Sequence, residues 1–145
     1  MGILRAAKSF DLSFTSRSTA GTTAGTAITG IGAYGSMLVY AALTGATGGT
    51  LDIYLQVTPD GGTTWVDYAH FPQIAGAAAV IYRVWAVSKA GQQTTLATVG
   101  VGTSPALAAN TILGGEWGPQ MRVVHVAGVG TSAGAAQVIQ LVMSS

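Results

Sequence analysis

The stretch Leu51–Phe71, LDIYLQVTPDGGTTWVDYAHF, reads as two β-strands joined by a glycine-rich turn. Leu51, Ile53, Leu55 and Val57 alternate with Asp52, Tyr54 and Gln56, the period of two that a strand with unlike faces requires. A second β-rich run follows from Trp65 to Phe71. Between them, Thr58-Pro59-Asp60-Gly61-Gly62-Thr63-Thr64 provides a proline that presets φ, an aspartate that can accept backbone N–H groups, and glycines free to take positive φ. The chain is expected to reverse here with Val57 facing Thr64, which places Asp67 opposite Tyr54. Asp52, Tyr54, Gln56 and Asp67 then share a polar face, while Val66 and Tyr68 join Leu51, Ile53 and Leu55 on the other. A one-residue slip would exchange the faces.

The same turn fits the Asp-box pattern, Ser/Thr-x-Asp-x-Gly-x-Thr-Trp, at Thr58, Asp60, Gly62, Thr64 and Trp65. In that pattern the aspartate organises the turn and the aromatic packs beside it, so the expected role is structural. A sialidase-like propeller blade is the sharper alternative, but propellers are built from repeats and this box occurs once.

Outward from the hairpin the chain continues as short apolar runs and turns. Met37–Leu43 is nearly continuous apolar sequence bracketed by glycines and threonines, which predicts a central strand covered on both faces. Ser18–Gly35 is dominated by Gly, Thr, Ala and Ser and fits an extended connection or an edge strand. Phe10, Leu12 and Phe14 alternate with Asp11 and Ser13, so a short strand is expected within an N-terminal arm, residues 1–25, ahead of a single domain spanning 26–145. Downstream, Val80–Val87 predicts a strand with Val80, Tyr82, Val84 and Ala86 on one face and Ile81, Arg83, Trp85 and Val87 on the other. Thr94–Val101 reads as a weaker strand, Asn110–Leu113 as a short one and Gly114–Pro119 as a turn. Met121–Ala127 and Gln137–Met143 complete the set, joined across Gly128–Gly134. About eight or nine strands without a helix predict an all-β fold, an antiparallel β-sandwich of jelly-roll or immunoglobulin-like type.

Of the 145 residues, only 8% are charged and 49% are hydrophobic, whereas soluble domains average about 25% charged. A free monomer ordinarily carries more charge on its surface, so much of this one is expected to be covered by other protein. The net charge of +1, with Lys and Arg scattered singly, leaves no basic stripe for nucleic acid. The absence of cysteine excludes disulfides and thiolate metal sites. MGILRAAKSF lacks the apolar core of a secretory signal, and Ala6 stands where a myristoylation signal has Ser or Thr. Glycines, threonines and Pro105 break the uncharged stretch Ala90–Gly115, so no membrane contact is expected.

Chemistry-bearing patterns are sparse. His70 and His125 are the only histidines and show no His-Glu-x-x-His or His-x-His spacing, so no metal site is expected. Asp52 and Asp67 are a carboxylate pair that the hairpin brings together. With no nucleophile, clamp or oxyanion donor around them, their face predicts solvent or partner contact rather than catalysis. Neither G-x-S-x-G nor a phosphate- or dinucleotide-binding glycine pattern occurs, and no cofactor or enzymatic activity is expected. The tryptophans and tyrosines keep a carbohydrate-binding module as an alternative, through Tyr54, Trp65 or Trp117. Spread over separate strands and turns, they read more simply as core fillers and interface anchors.

The run LDIYLQ-x-x-x-DGG-x-TW-x-D-x-A-x-F, with the apolar strand ahead of it and the later GPQMRVVHV, resembles small virion structural proteins of tailed bacteriophages. The resemblance implies a β-sandwich accessory protein of the head, a decoration or cement protein on the capsid exterior, made in the host bacterial cytoplasm. Its partners would be the major capsid protein and itself, as a trimer or dimer. A tail, fibre or baseplate component is the alternative, and no catalytic residue is carried over. Partner contacts are expected at Ile3, Leu4, Phe10, Phe14, Tyr54 and Trp117, with the N-terminal arm reaching a neighbour.

Overall fold

The computed structural model describes residues 7–15, 20–44, 49–75, 81–90, 98–128 and 136–145. These residues hold twelve strands and no helix: β1 (Lys8–Asp11), β2 (Phe14–Thr15), β3 (Gly21–Ala24), β4 (Ile28–Thr29), β5 (Ser36–Leu43), β6 (Thr50–Val57), β7 (Val66–His70), β8 (Ile74–Ala75), β9 (Ile81–Ser88), β10 (Thr111–Ile112), β11 (Gln120–Ala127) and β12 (Ala136–Ser144). One sheet runs β1-β12-β5-β9, with β2 also on β12. The other runs β10-β7-β6-β11-β3, with β4 on β11 and β8 on β6. Every pairing is antiparallel, and the two sheets form a β-sandwich.

The strand count exceeds the sequence expectation in part because β2, β4 and β8 are two residues each, too short to display a period of two. Alternation along the longer strands builds the core. Met37, Val39, Ala41 and Leu43 of β5 join Ile139, Leu141 and Met143 of β12, and across the sandwich they share one cluster with Leu51, Ile53 and Leu55 of β6 and Met121 and Val123 of β11. Each fully buried aliphatic side chain of this kind contributes about 1.5–3 kcal/mol.

Several elements differ from their expected form. The described part of residues 1–25 is no separate arm: β1 and β2 pair with β12, β3 pairs with β11, and Leu12 lies in the core at 6% exposure. Of the two readings of the small-residue stretch, the edge strand is the one observed: β3 lies at the edge of its sheet, beside β11, and β4 also pairs with β11. β5 is not covered on both faces by the described residues, since Leu38 is 42% exposed. Of Thr94–Val101, residues 94–97 lie outside the described residues; the rest is not a strand, and Val101 makes only isolated bridges to Val66 and Ser104. Most of the Gly128–Gly134 connection also lies outside them.

The β6–β7 hairpin has its own correction. Val57 pairs with Val66, not Thr64, and Gln56 pairs with Asp67. Relative to the expected register this is a shift of two, which preserves the faces. A bulge then changes the register between Gln56 and Leu55, so that Leu55 opposes Ala69 and Tyr54 opposes His70. Tyr68 and Ala69 both enter the core cluster.

Candidate functional site

The turn between β6 and β7 is a closed hydrogen-bond unit. The Asp60 carboxylate Oδ1 accepts from the Thr58 hydroxyl at 2.9 Å and from the backbone N–H groups of Thr63 and Thr64 at 3.1 and 2.7 Å. Thr58 Oγ1 in turn accepts the Gly62 N–H at 2.8 Å, and the Trp65 indole donates to Gly62 O at 3.0 Å. Gly61 and Gly62 take φ of 73° and 112°, which side chains with a Cβ rarely adopt. The bonds to Thr64, then those to Thr58 and Thr63, hold the Asp60 carboxyl down at about 2. Thr58, Asp60, Gly62, Thr64 and Trp65 thus act together in shaping the loop.

The polar face of the hairpin is where the sequence expectation fails most. Asp52, Tyr54, Gln56 and Asp67 do lie on one side of the sheet, but Gln56 and Asp67 are fully buried and Tyr54 is 7% exposed. The segment from Gly100 to Leu107 covers them. Asp67 Oδ2 accepts the backbone N–H groups of Gly100, Ala106 and Leu107 at 2.8, 2.7 and 3.0 Å, while Oδ1 accepts the Gln56 amide at 2.9 Å. Gln56 Nε2 also donates to Gly102 O at 2.8 Å, and its Oε1 accepts from Arg122 Nε and Nη2 at 3.1 and 2.9 Å. The Arg122 guanidinium stacks over Trp65 with its carbon 4.4 Å from the ring centre, tying this network to the turn. Burial lowers the Arg122 pKa from its ordinary value.

Beside the network, the His70 ring stacks on Tyr54 at 3.9 Å between centres. Its Nδ1 lies 2.7 Å from Leu107 O and its Nε2 lies 3.1 Å from Asp52 Oδ1, while Gln73 Nε2 donates to Asp52 Oδ2 at 2.8 Å. Burial, then the charges of Asp52 and Asp67, push the Tyr54 phenol up to about 12. Asp67 therefore spends its acceptors on chain segments, and its carboxylate is closed to solvent. Among the described residues no group of three or more His, Cys, Asp or Glu could hold a metal ion, and no helix is long and apolar enough to cross a membrane.

The residues expected at a partner contact are engaged within the chain wherever the structure describes them. Trp117 is 1% exposed; its indole donates to Ile31 O at 3.2 Å, and Lys89 Nζ sits 4.9 Å from its ring centre. Half-buried Phe14 stacks on His125 at 4.3 Å, and half-buried Phe10 meets Tyr34 edge-on at 6.1 Å. Buried Tyr54 belongs to the covered face just described. Ile3 and Leu4 lie outside the described residues. For Trp117 and Tyr54 the correction has a simple cause, since a large ring beside a glycine turn or a polar strand fills space on its own chain when another segment folds over it.

A different surface stands open: the outward side of the β12-β5-β9 layer. Val84 is 60% exposed, Leu38 42% and Val142 36%, and register places Leu38 between Val142 and Ala86, and Tyr40 between Gln140 and Val84. The outward positions of β5 and β12, and Val84, Ala86 and Ser88 of β9, include no Lys, Arg, Asp or Glu; Asp11 of β1 stands at the rim. The nearly continuous apolar run of β5 predicted cover on both faces, so the sequence did not show that one side of it points outward. Nor did composition alone say that Leu38, Val84 and Val142 would be exposed.

The sequence matches no protein-family model and no curated protein, and no solved structure matches the fold.

Proposed function

We propose that this chain is a structural subunit of a tailed-bacteriophage virion, a decoration protein that sits on the capsid exterior and cements neighbouring major capsid subunits. The observation that carries this reading is the uncharged apolar outer face of the β12-β5-β9 layer, around Leu38, Val84 and Val142. Contiguous apolar surface of this kind marks interaction sites on soluble proteins. Hiding about 1,000 Å² of it would supply roughly 25 kcal/mol before association and ordering costs are subtracted. The low charge of the whole chain supports the same reading, as does the resemblance of the hairpin and of GPQMRVVHV to phage virion proteins. The buried clamp of Asp67 and the closed turn at Asp60 support a rigid scaffold rather than a moving one.

Cryo-electron microscopy of particles containing the chain tests the proposal. Density for the sandwich is expected on the outside of the head, with the Leu38–Val142 face against the shell or against a second copy. Density confined to the tail, fibre or baseplate would replace the head assignment. A glycan-binding module would need exposed rings, whereas Tyr54, Trp65 and Trp117 are 7%, 8% and 1% exposed.

A further inference from the structure

We infer that the outer face of the β12-β5-β9 layer pairs with the same face of a second copy, forming a two-fold dimer in which β5 lies over β5. This rests on the reading that the face is a protein-docking surface, and it names the occupant. A pair of this kind carries one shell contact on each copy, which is what a cement joining neighbouring capsid subunits needs. Shape points to a second copy. β12 and β5 pair through seven residues and β5 and β9 through eight, each in continuous register, so no bulge bends this face. Twisted sheets pack face to face at about 10 Å with their strands within about 30° of each other, and a second copy brings the matching twist. With the two-fold close to the direction of β5, the order of strands is reversed across the interface. Register then sets Leu38 on Leu38 and Tyr40 on Tyr40 near the axis, and Val142 of one copy on Ala86 of the other at either flank. A large side chain meets a small one there, as interdigitation requires. The outward row Ser144, Ser36 and Ser88 meets its own reverse, hydroxyl to hydroxyl.

Charge and area agree with shape. The outward positions of β5 and β12, and Val84, Ala86 and Ser88 of β9, hold no Lys, Arg, Asp or Glu. Two copies therefore meet without like charges, whereas discrimination of a foreign partner ordinarily uses complementary charge. Asp11 of β1, which pairs with Gln140, falls beyond the β9 edge of the other copy and keeps its water. Three strands about 4.8 Å apart and about 27 Å long give roughly 400 Å² in projection on each copy, or roughly 1,000 Å² of accessible surface for the pair once side-chain relief is counted. That is the lower limit for a specific interface, and it sets the expected dissociation constant in the micromolar range.

In sedimentation velocity the full-length chain should pass from one copy to two across the micromolar range. The variant Leu38→Lys, Val142→Lys, folded by circular dichroism, should associate at least about tenfold more weakly, since it sets lysine on lysine at the axis. Because the chain has no cysteine, single introduced cysteines report the geometry. Under a short bismaleimide, Leu38→Cys chains should crosslink severalfold faster than chains carrying Thr103→Cys, an exposed residue of the segment that covers the other sheet. Mixed Val142→Cys and Ala86→Cys chains should crosslink severalfold faster than either alone. A wild-type chain that stays a single copy throughout, an association that the lysines leave intact, or equal crosslinking at Leu38 and Thr103 overturns the inference. Val142→Cys crosslinking as fast alone as with Ala86→Cys overturns it too. A single copy that decorates heads with this face on the shell overturns the inference and leaves the decoration reading standing. A chain that pairs through this face but never occupies a virion overturns the decoration reading instead.

Discussion

Asp67 gathers three backbone N–H groups on one carboxylate oxygen, so deleting it strands several buried donors at once. Asp67→Ala should lower the unfolding free energy by roughly 3 kcal/mol or more, seen as a lower urea midpoint with unchanged slope. Asp60 presents the opposite case, an exposed carboxylate whose pKa is held down from 3.8 to about 2. A depressed folded-state value means that its contribution is complete above about pH 4 and is lost as the pH falls through about 2. Asp60→Asn should accordingly flatten that part of the acid limb in a stability–pH series followed by circular dichroism, while a limb identical to wild type would remove the assignment. The two aspartates also differ in how readable they were. Asp60 bonds residues three and four positions away, within reach of turn chemistry, whereas the backbone donors to Asp67 are 33 to 40 positions away.

The β6–β7 hairpin was recognisable from its alternation and its turn residues, but its register was not. Asp60 holds the N–H groups of Thr63 and Thr64, so the ladder begins only at Val66. The bulge opposite Leu55 then lets Tyr68 and Ala69 both reach the core and turns His70 onto Tyr54. The covering segment depends on Gly100, where a Cβ would stand 2.2 Å from Ser104 O and 2.4 Å from Ala106 N. Gly100→Ala should cost about 1–3 kcal/mol and speed amide exchange at Ala106 and Leu107 more than at Val39 in the core, as measured by hydrogen exchange. Equal protection at all three would show that the segment tolerates the methyl group. Nothing local marks Gly100 as different from the other glycines; the crowding comes from Ser104–Ala106 folding back over it.

Among the described residues, one layer has Gln56 and Asp67 of its outer side covered by Gly100–Leu107, and the other exposes Leu38, Val84 and Val142 on its outer side. The double substitution Leu38→Lys, Val142→Lys should therefore leave folding stability within about 1 kcal/mol of wild type, because both sites are partly exposed surface positions. The same variant should lose occupancy on virions in a pull-down with undecorated heads. Full occupancy would mean that this face is not the docking surface. On the opposite side of the same layer, Ile139→Ala removes a fully buried side chain and should cost about 2–5 kcal/mol. The first change tests association and the second tests folding, and the contrast between them separates the two roles of the sheet.

Alternation, turn residues and composition were enough to establish an all-β chain and its central hairpin with a turn at Thr58–Trp65, because each depends on residues only a few positions apart. Three features needed the folded chain: the pairing of the strands in residues 8–24 with β12 and β11, the burial of Gln56 and Asp67 beneath Gly100–Leu107, and the inward placement of Trp117. Each joins segments that are distant in sequence. A polar strand face looks the same in sequence whether water or another stretch of chain will cover it, and the energy of closing that long loop enters only when the partners meet.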